Sequence, residues 1–474
     1  MGSPTTGEPK RRTAVKLSIV GAGSAVFSLQ IVRDLCATPS LSGSEIVLMD
    51  IDSDRLDAVT SLATRCADEM GSDVSFVSTL SEDAALEDAE FVVNVAYASG
   101  HKHGMRVQET TSQSGYYHSS AGVYGPVDHW AFDDLMMRLD FARTMERRCP
   151  DAWLLQSGNP VFEGCTLMTR ETDIKVVGLC DGVKTYRDVC DVLGIEAGRV
   201  TWEAPGVNHQ VWLTKFLLDD MDIYPLLDEW IESSAESYWQ SHRQLKSHDI
   251  QMSRAAIHLY QLYGLMPLGD TVRDPINAWL HTDFATKLRW FGEPWGGPDT
   301  PQGRQAFIDL LDGRVRDVER IVSDPLASVV TFLDSLPSYE MHVPIIDALA
   351  GNRSGVFQVN VRNDGSLAGI ADDVVVELRA LVDGSGVHPI SIAPLPRKIM
   401  LEQTLPAVLR MEHTLEVLKT GDLSMLMWSA LMHPQTTSYE QARDVLSDLL
   451  AMEGNDRLNE HHRWPGETTK RRLP

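Results

Sequence analysis

The chain has 474 residues, 42 basic against 67 acidic, for a formal net charge of −25, and it is 43% hydrophobic. It has apolar mass enough for a large core, so it is neither disordered nor one small module; at about 100–200 residues per domain it accommodates two to four units, or one closely joined pair. So acidic a surface repels phosphate backbones with no basic, aromatic-studded stripe to offset it, and no run of about 18 apolar residues or secretory signal occurs, which makes the cytoplasm the expected compartment.

Residues 1–15, with Lys10, Arg11 and Arg12, read as a flexible tail. From Lys16 onward, short runs that are apolar almost throughout alternate with helical stretches: KLSIVGAG, a helix near Ser24–Cys36, EIVLMD, a helix near Asp54–Met70, VSFV and FVVNVAY. Unbroken apolar runs suit strands buried on both faces, and the alternation is that of an α/β, Rossmann-like doubly wound parallel sheet. Trp153–Ser157, a helical stretch around Val161–Thr169 and Lys175–Cys180 carry the sheet to about residue 180. The segment His101–Asp128, rich in Gly, Ser, His and Tyr, reads as a loop over a cleft. Beyond residue 200, amphipathic stretches at 224–240 and 400–419 mix with the β-like runs Val356–Val361 and Val374–Leu378. The expected organisation is a Rossmann-like unit over 16–200 packed closely on a mixed α+β unit over 201–474, with a cleft between them.

Gly21, Gly23, Ser24, Ala25, Val26 and Phe27 follow the first strand and open a helix, and Asp50 ends the second strand. This order makes most of a dinucleotide fingerprint: Gly21 allows the tight turn, Gly23 admits pyrophosphate to the helix N-terminus, and Asp50 accepts from ribose hydroxyls, favouring NAD over NADP. Val26 stands where the third glycine belongs. Asn159 either faces the crevice where nicotinamide and substrate meet or caps the next helix. Cys180 and His209 are either metal ligands or a buried thiol and a satisfied imidazole. Asp270 and Arg273 are an acid with a guanidinium anchor, or an ordinary turn with its salt bridge. The six cysteines show no disulfide or closed-zinc spacing.

Nine segments, in order IVGAGSAVFS, LMDID, NPVFEG, VVGLCDG, GVNHQVWLTKF, YGLMPLGDTVR, WFGEPWGG, HVPIIDAL and DDVVVELRALVDGSGVHP, resemble the NAD- and manganese-dependent glycoside hydrolases of family 4 over nearly the whole chain. The resemblance is closest to the α-glycosidase branch, with the NAD-dependent sulfoquinovosidases as further relatives. It implies that NAD+ is held in the first unit, with Asn159 touching cofactor and sugar, and that Cys180 and His209 bind Mn2+. It further implies that His129, Asp181 and Arg273 lie near the sugar and that Asp270, or else Tyr263 or Tyr260, is the base. The implied reaction is oxidation at carbon 3, elimination, water addition and return of the hydride, in a homodimer or homotetramer.

This chain departs from the family's α-glycosidases in having Asp181 and Gly182 after the cysteine, where histidine and glycine are usual, and in the stretch Tyr116–Trp130. Those departures, with His101, Lys102, His103, His118 and His129 as candidate counter-charges, direct the substrate expectation to an α-glycoside with an anionic carbon 6, sulfoquinovoside first. A neutral α-glucoside or α-galactoside stands behind it. The first unit alone would equally serve an NAD-dependent 2-hydroxy acid dehydrogenase or an NAD-binding regulator without turnover. Nicotinamide absorbance separates these classes: the hydrolase releases sugar with no net NADH, whereas a dehydrogenase accumulates one NADH for each product.

Overall fold

The computed structural model describes residues 13–24, 26–98, 100–117, 129–334 and 341–463. The apolar runs of the first half form strands β1 (Lys16–Val20), β2 (Glu45–Met49), β3 (Ser75–Thr79), β4 (Phe91–Asn94), β5 (Trp153–Gln156) and β6 (Lys175–Gly178). All pair in parallel, in the order β3-β2-β1-β4-β5-β6. β4 is buried at every position and β1 at all but its first, as strands with helices on both faces must be. The strand order reverses between β1 and β4, and their carboxyl ends part there to open a crevice. Helix Ser53–Met70 is bounded by local chemistry: Asp52 accepts from Arg55 N at its start, and Gly71 takes the left-handed conformation at its end.

The second half contributes β7 (Val200–Glu203), β8 (Gly206–Val207), β9 (Gln210–Leu213), β10 (Lys215–Leu218), β11 (Met221–Asp222), β12 (Met266–Leu268), β13 (Gly355–Arg362), β14 (Val375–Asp383) and β15 (Gly386–Pro389). The expectation that the sheet stops near residue 180 needs correction. β13 joins β6 antiparallel through Asn360 and Gly178, and β14, β8, β9 and β12 extend the same sheet, with β15 on β14, to 12 strands. Gly178 permits the junction, since a Cβ there would lie 2.8 Å from Asn360 Cβ. β7, β10 and β11 form a separate three-stranded sheet.

The segment expected as a loop from His101 contains a helix, Gly100–Gln113, that buries His103, Gly104, Val107, Gln108 and Thr111. That helical spacing is carried by small and polar residues, which hides it from a hydrophobicity pattern. Residues 118–128, His118 among them, lie outside the described residues, as do 1–12 and Ala25. His129 begins the helix His129–Arg148. Among the described residues no helix is long and apolar enough to cross a membrane, and all six cysteines are free.

Trp212, on the strand that leads away from His209, is fully buried and packs against Tyr263 with ring centroids 5.1 Å apart. Trp212→Ala should cost about 3–5 kcal/mol, read as a lower denaturant midpoint, because the surrounding sheet cannot collapse into the space.

Candidate active site

β1 ends in Gly21, whose φ is +84°, and a Cβ there would lie 2.7 Å from Ala96 N. Only glycine lets the turn pass so close to the end of β4. Gly23 N donates to Asp50 Oδ2 at 2.7 Å, and Asp52 N donates to Asp50 Oδ1 at 2.9 Å. The turn amide and the acid, expected to serve different parts of a dinucleotide, are thus tied to each other. Ser24 Oγ lies 3.1 Å from Ser28 Oγ, and Val26 starts the helix Val26–Cys36. Phe27 meets His342 edge-on at 5.4 Å, and His342 Nε2 sits 2.6 Å from Ser157 Oγ.

A cavity of about 380 Å³ lies at the crevice, and Phe27, Asn159, Cys180, Asp181, His209 and Asp270 all line it. Arg138 fixes Asn159: its guanidinium, fully buried, donates to Asn159 O at 2.5 Å and to Asp134 O at 2.7 Å. Gly158 and Gly164 make room, since a Cβ on either would lie 2.9 Å from the arginine. Asn159 Oδ1 is buried with no hydrogen-bond partner among the described residues. An orphaned buried acceptor is costly, and a ligand hydroxyl or amide in the crevice would satisfy it.

On the opposite wall two backbones touch. A Cβ on Gly269, whose φ is +57°, would lie 2.6 Å from Gly182 Cα. This contact brings the segment after Cys180 against the one that carries Asp270. Gln251 reinforces it, with Oε1 accepting from Gly269 N at 2.9 Å and from Thr185 Oγ1 at 2.6 Å. His209, held at φ +64°, places Nε2 3.3 Å from Asp270 Oδ2. Asp270 Oδ1 accepts from Arg273 Nε at 2.7 Å, and Arg273 Nη1 reaches Asp299 at 2.5 Å. Burial alone would raise the Asp270 pKa, but the Arg273 charge, followed by His209, holds it well below the usual carboxylate range. Burial and the Glu377 charge push the Cys180 thiol above its ordinary range, and burial lowers His209. Glu377, pushed up to about 7 by burial, accepts from Asn208 Nδ2 at 2.9 Å.

Several expected site residues lie elsewhere. Tyr263 OH accepts from Gln403 Nε2 at 2.7 Å, and Tyr260 OH donates to Asp228 at 2.7 Å; neither tyrosine lines the cavity. Arg273, expected as a sugar anchor, is 2% exposed and held between Asp270 and Asp299. His101 stacks on Tyr97, His103 meets Arg106, and Lys102 is exposed; none of the three lines the cavity. Asp181, at the mouth, is paired with Lys184. Missed in the sequence were Ser157, Thr185, Gln251 and His248, the last pushed down to about 4 by burial with the Arg273 charge. SHDIQ carries no motif that marks it.

Among the described residues no group of three His, Cys, Asp or Glu side chains is arranged to hold a metal ion. Cys180, His209 and Asp270 nevertheless bring a thiol, an imidazole and a carboxylate to one cavity, a donor set that suits a transition-metal ion if water or sugar oxygens complete it.

Residues 16–195 match the family 4 glycosyl hydrolase model, and residues 204–436 match its C-terminal domain. The chain belongs to family 4 of the glycosyl hydrolases. Its chemistry is therefore the hydrolysis of glycosidic bonds. It is 26% identical to an α-galactosidase of Bacillus subtilis over 93% of this chain and 98% of the other. It is 23% identical to an α-galacturonidase of Thermoanaerobacter italicus over 92% and 95%. A 6-phospho-α-glucosidase from gut microorganisms, solved in complex with NAD and Mn2+, shares the fold with a TM-score of 0.74 at 16% identity, covering 92% of this chain and 97% of that one.

The glycine contact is testable. Gly269→Ala should separate the two segments that meet there and lower kcat/KM by about 100-fold or more, since backbone atoms cannot yield as a side chain would. Gly264→Ala, also at positive φ but with nothing within 4 Å of the added Cβ, should cost only about 1 kcal/mol of stability and leave kcat/KM near normal.

Proposed function

We propose that this glycosidase uses NAD+ and Mn2+ to cleave α-glycosides whose carbon 6 bears an acid, a sulfonate or a uronate, in the cytoplasm and as a homodimer or homotetramer. The observation that carries the cofactor assignment is the convergence of Asn159, Cys180, His209 and Asp270 on the one cavity at the strand-order reversal. The fold neighbour that holds NAD and Mn2+ supports it. When bound, NAD+ would supply reversible hydride uptake at carbon 3 and Mn2+ would stabilise negative charge developing on the sugar.

The protein's own groups divide the remaining work. Gly21, Gly23 and Asp50 would seat the dinucleotide, Cys180 and His209 would hold the metal, and Asn159 Oδ1 would orient a sugar hydroxyl. Asp270 Oδ2 would accept the proton from carbon 2, since Oδ1 is engaged by Arg273. Arg273 keeps that carboxylate ionised at neutral pH and fixes its direction, so it acts as a positioning residue.

An acidic substrate is supported by local charge. The acid at Asp181 is neutralised by Lys184. Arg304, 6% exposed, is close enough to His248 on the cavity wall for its charge to depress that imidazole. The α-galacturonidase relative acts on an acidic sugar, and the α-galactosidase relative keeps a neutral α-galactoside as the second reading. Leu409, Trp428 and Met432 are 68%, 55% and 65% exposed, and a subunit interface would cover them.

Aryl α-sulfoquinovoside, α-galacturonide, α-galactoside and α-glucoside, compared side by side with NAD+ and Mn2+, decide the substrate. An acidic sugar should exceed its neutral counterpart in kcat/KM by about 100-fold, the discrimination of roughly 3 kcal/mol of charge-assisted bonding. A neutral sugar turned over as well assigns the enzyme to neutral α-glycosides. Hydrolysis in deuterated water should label carbon 2 of the product, and Asp270→Asn should keep the fold and NAD+ affinity while losing turnover. Retention of normal turnover in that variant moves the base elsewhere.

A further inference from the structure

A second cavity, of about 400 Å³, lies behind the catalytic wall, between the helix Ala235–Ser241, the segment 242–254 and residues 288–293. Its volume matches that of the catalytic cavity, and nothing in the hydrolytic chemistry uses it. Tyr238, Trp239, Trp290 and Phe291 border it, each ring already packed against a neighbour, His242, Arg254, His258 and His281 in turn. Its polar walls carry His242 beside Asp249 at 3.0 Å, Arg243 with Glu293 at 2.9 Å, Arg254 with Glu236 at 2.8 Å, and Arg289 over the Trp290 ring at 5.6 Å. These groups give hydrogen-bonding edges beside ring surface, which suits a hydroxyl-rich ligand.

Gln244 gives the independent sign of a ligand. It is 6% exposed, and its Nε2 donates to Asp249 O at 2.7 Å and Phe291 O at 2.8 Å. Those two carbonyls use both amide hydrogens and set the orientation, so Oε1 is the acceptor left over, and it has no hydrogen-bond partner. Gly292, at φ +100°, stands beside this amide, where an added Cβ would be in ordinary contact with Gln244 Cδ at 3.5 Å. A buried acceptor on the wall of a cavity rimmed by aromatic rings calls for a hydroxyl donor.

We propose that this cavity is a second sugar-binding site, with Gln244 Oε1 accepting from a pyranose hydroxyl and the aromatic rings packing on the ring's apolar faces. The site is coupled to catalysis through the chain that divides the two cavities. Asp249 and Met252 face this cavity, while His248, Ile250 and Gln251 face the catalytic one, and Gln251 holds Gly269 N beside Asp270. A ligand that displaces Asp249 or Gln244 therefore moves the support of the catalytic carboxylate.

Gln240→Trp tests the site, because Gln240 is exposed on the helix and lines the cavity, so the larger ring fills space without opening the core. Arg289→Ala, also exposed and on the rim, is a second, milder variant. Calorimetric titration of the holoenzyme with D-galactose, and separately with D-galacturonate, should give two sugars per chain for at least one of them. Gln240→Trp should give one, and Arg289→Ala should weaken the second event several-fold, while both variants keep wild-type turnover at low substrate. Mixed inhibition by the same sugar should become purely competitive in Gln240→Trp. A count of sugars per chain that Gln240→Trp leaves unchanged overturns the site, whichever glycoside is the substrate. Purely competitive inhibition of the wild type overturns the coupling.

Discussion

A buried line of carboxylate, guanidinium, carboxylate and imidazole, from Asp299 through Arg273 and Asp270 to His209, organises the catalytic wall. Arg273 and Asp299 are 2% exposed each, and Lys287, pushed down to about 8 by burial, stands 3.9 Å beyond Asp299. Removing Arg273 would leave the Asp270 and Asp299 carboxylates without their shared guanidinium in a low-dielectric setting, at a cost of about 3–5 kcal/mol. The line therefore has one stable arrangement, and that arrangement aims a single carboxylate oxygen at the cavity. The low pKa of Asp270 follows from the same geometry: an acid so well paired stays ionised, and its strength as a base is exchanged for fixed direction.

Glycine contacts position both walls, with one buried guanidinium on the side that faces Asp270. Gly158 and Gly164 make room for Arg138, which holds the main chain of Asn159, while Gly182 and Gly269 let two segments touch without side chains between them. Asn159 and Gly182 follow the parallel strands β5 and β6, and Gly269 follows β12 of the antiparallel extension of the same sheet. Rigidity is inherited from the sheet, and the glycines convert it into position.

The protein's charge is divided by location. A net −25 is spread over the whole chain, while at the cavity Arg273 is taken by Asp270 and Asp299, Lys184 by Asp181, and Arg304 lies near His248. At physiological ionic strength charges more than about 8 Å away across solvent are largely screened, so this local balance rather than the net charge decides what an anionic ligand meets. An overall acidic composition is thus compatible with an acidic substrate.

Local pattern alone determined a good deal. Strands β1 to β6, the glycine turn with Asp50, and the identity of Asn159, Cys180, His209 and Asp270 as residues to watch were all readable, because each depends on neighbours within a few residues or on ordered motifs. The junction of β13 with β6 was not, since it rests on Asn360 meeting Gly178 across 182 positions, and neither strand's own pattern names its partner. The helix Gly100–Gln113 escaped because Val107 is the one aliphatic residue of a buried face otherwise made of histidine, glycine and polar residues. Arg273 and the tyrosines show the same limit: sequence can state that a guanidinium or a phenol is near the right motif, but direction is decided by what else competes for it. For Arg273 the competitors are two carboxylates, for Tyr263 a glutamine, and only the folded chain brings those partners within hydrogen-bonding distance.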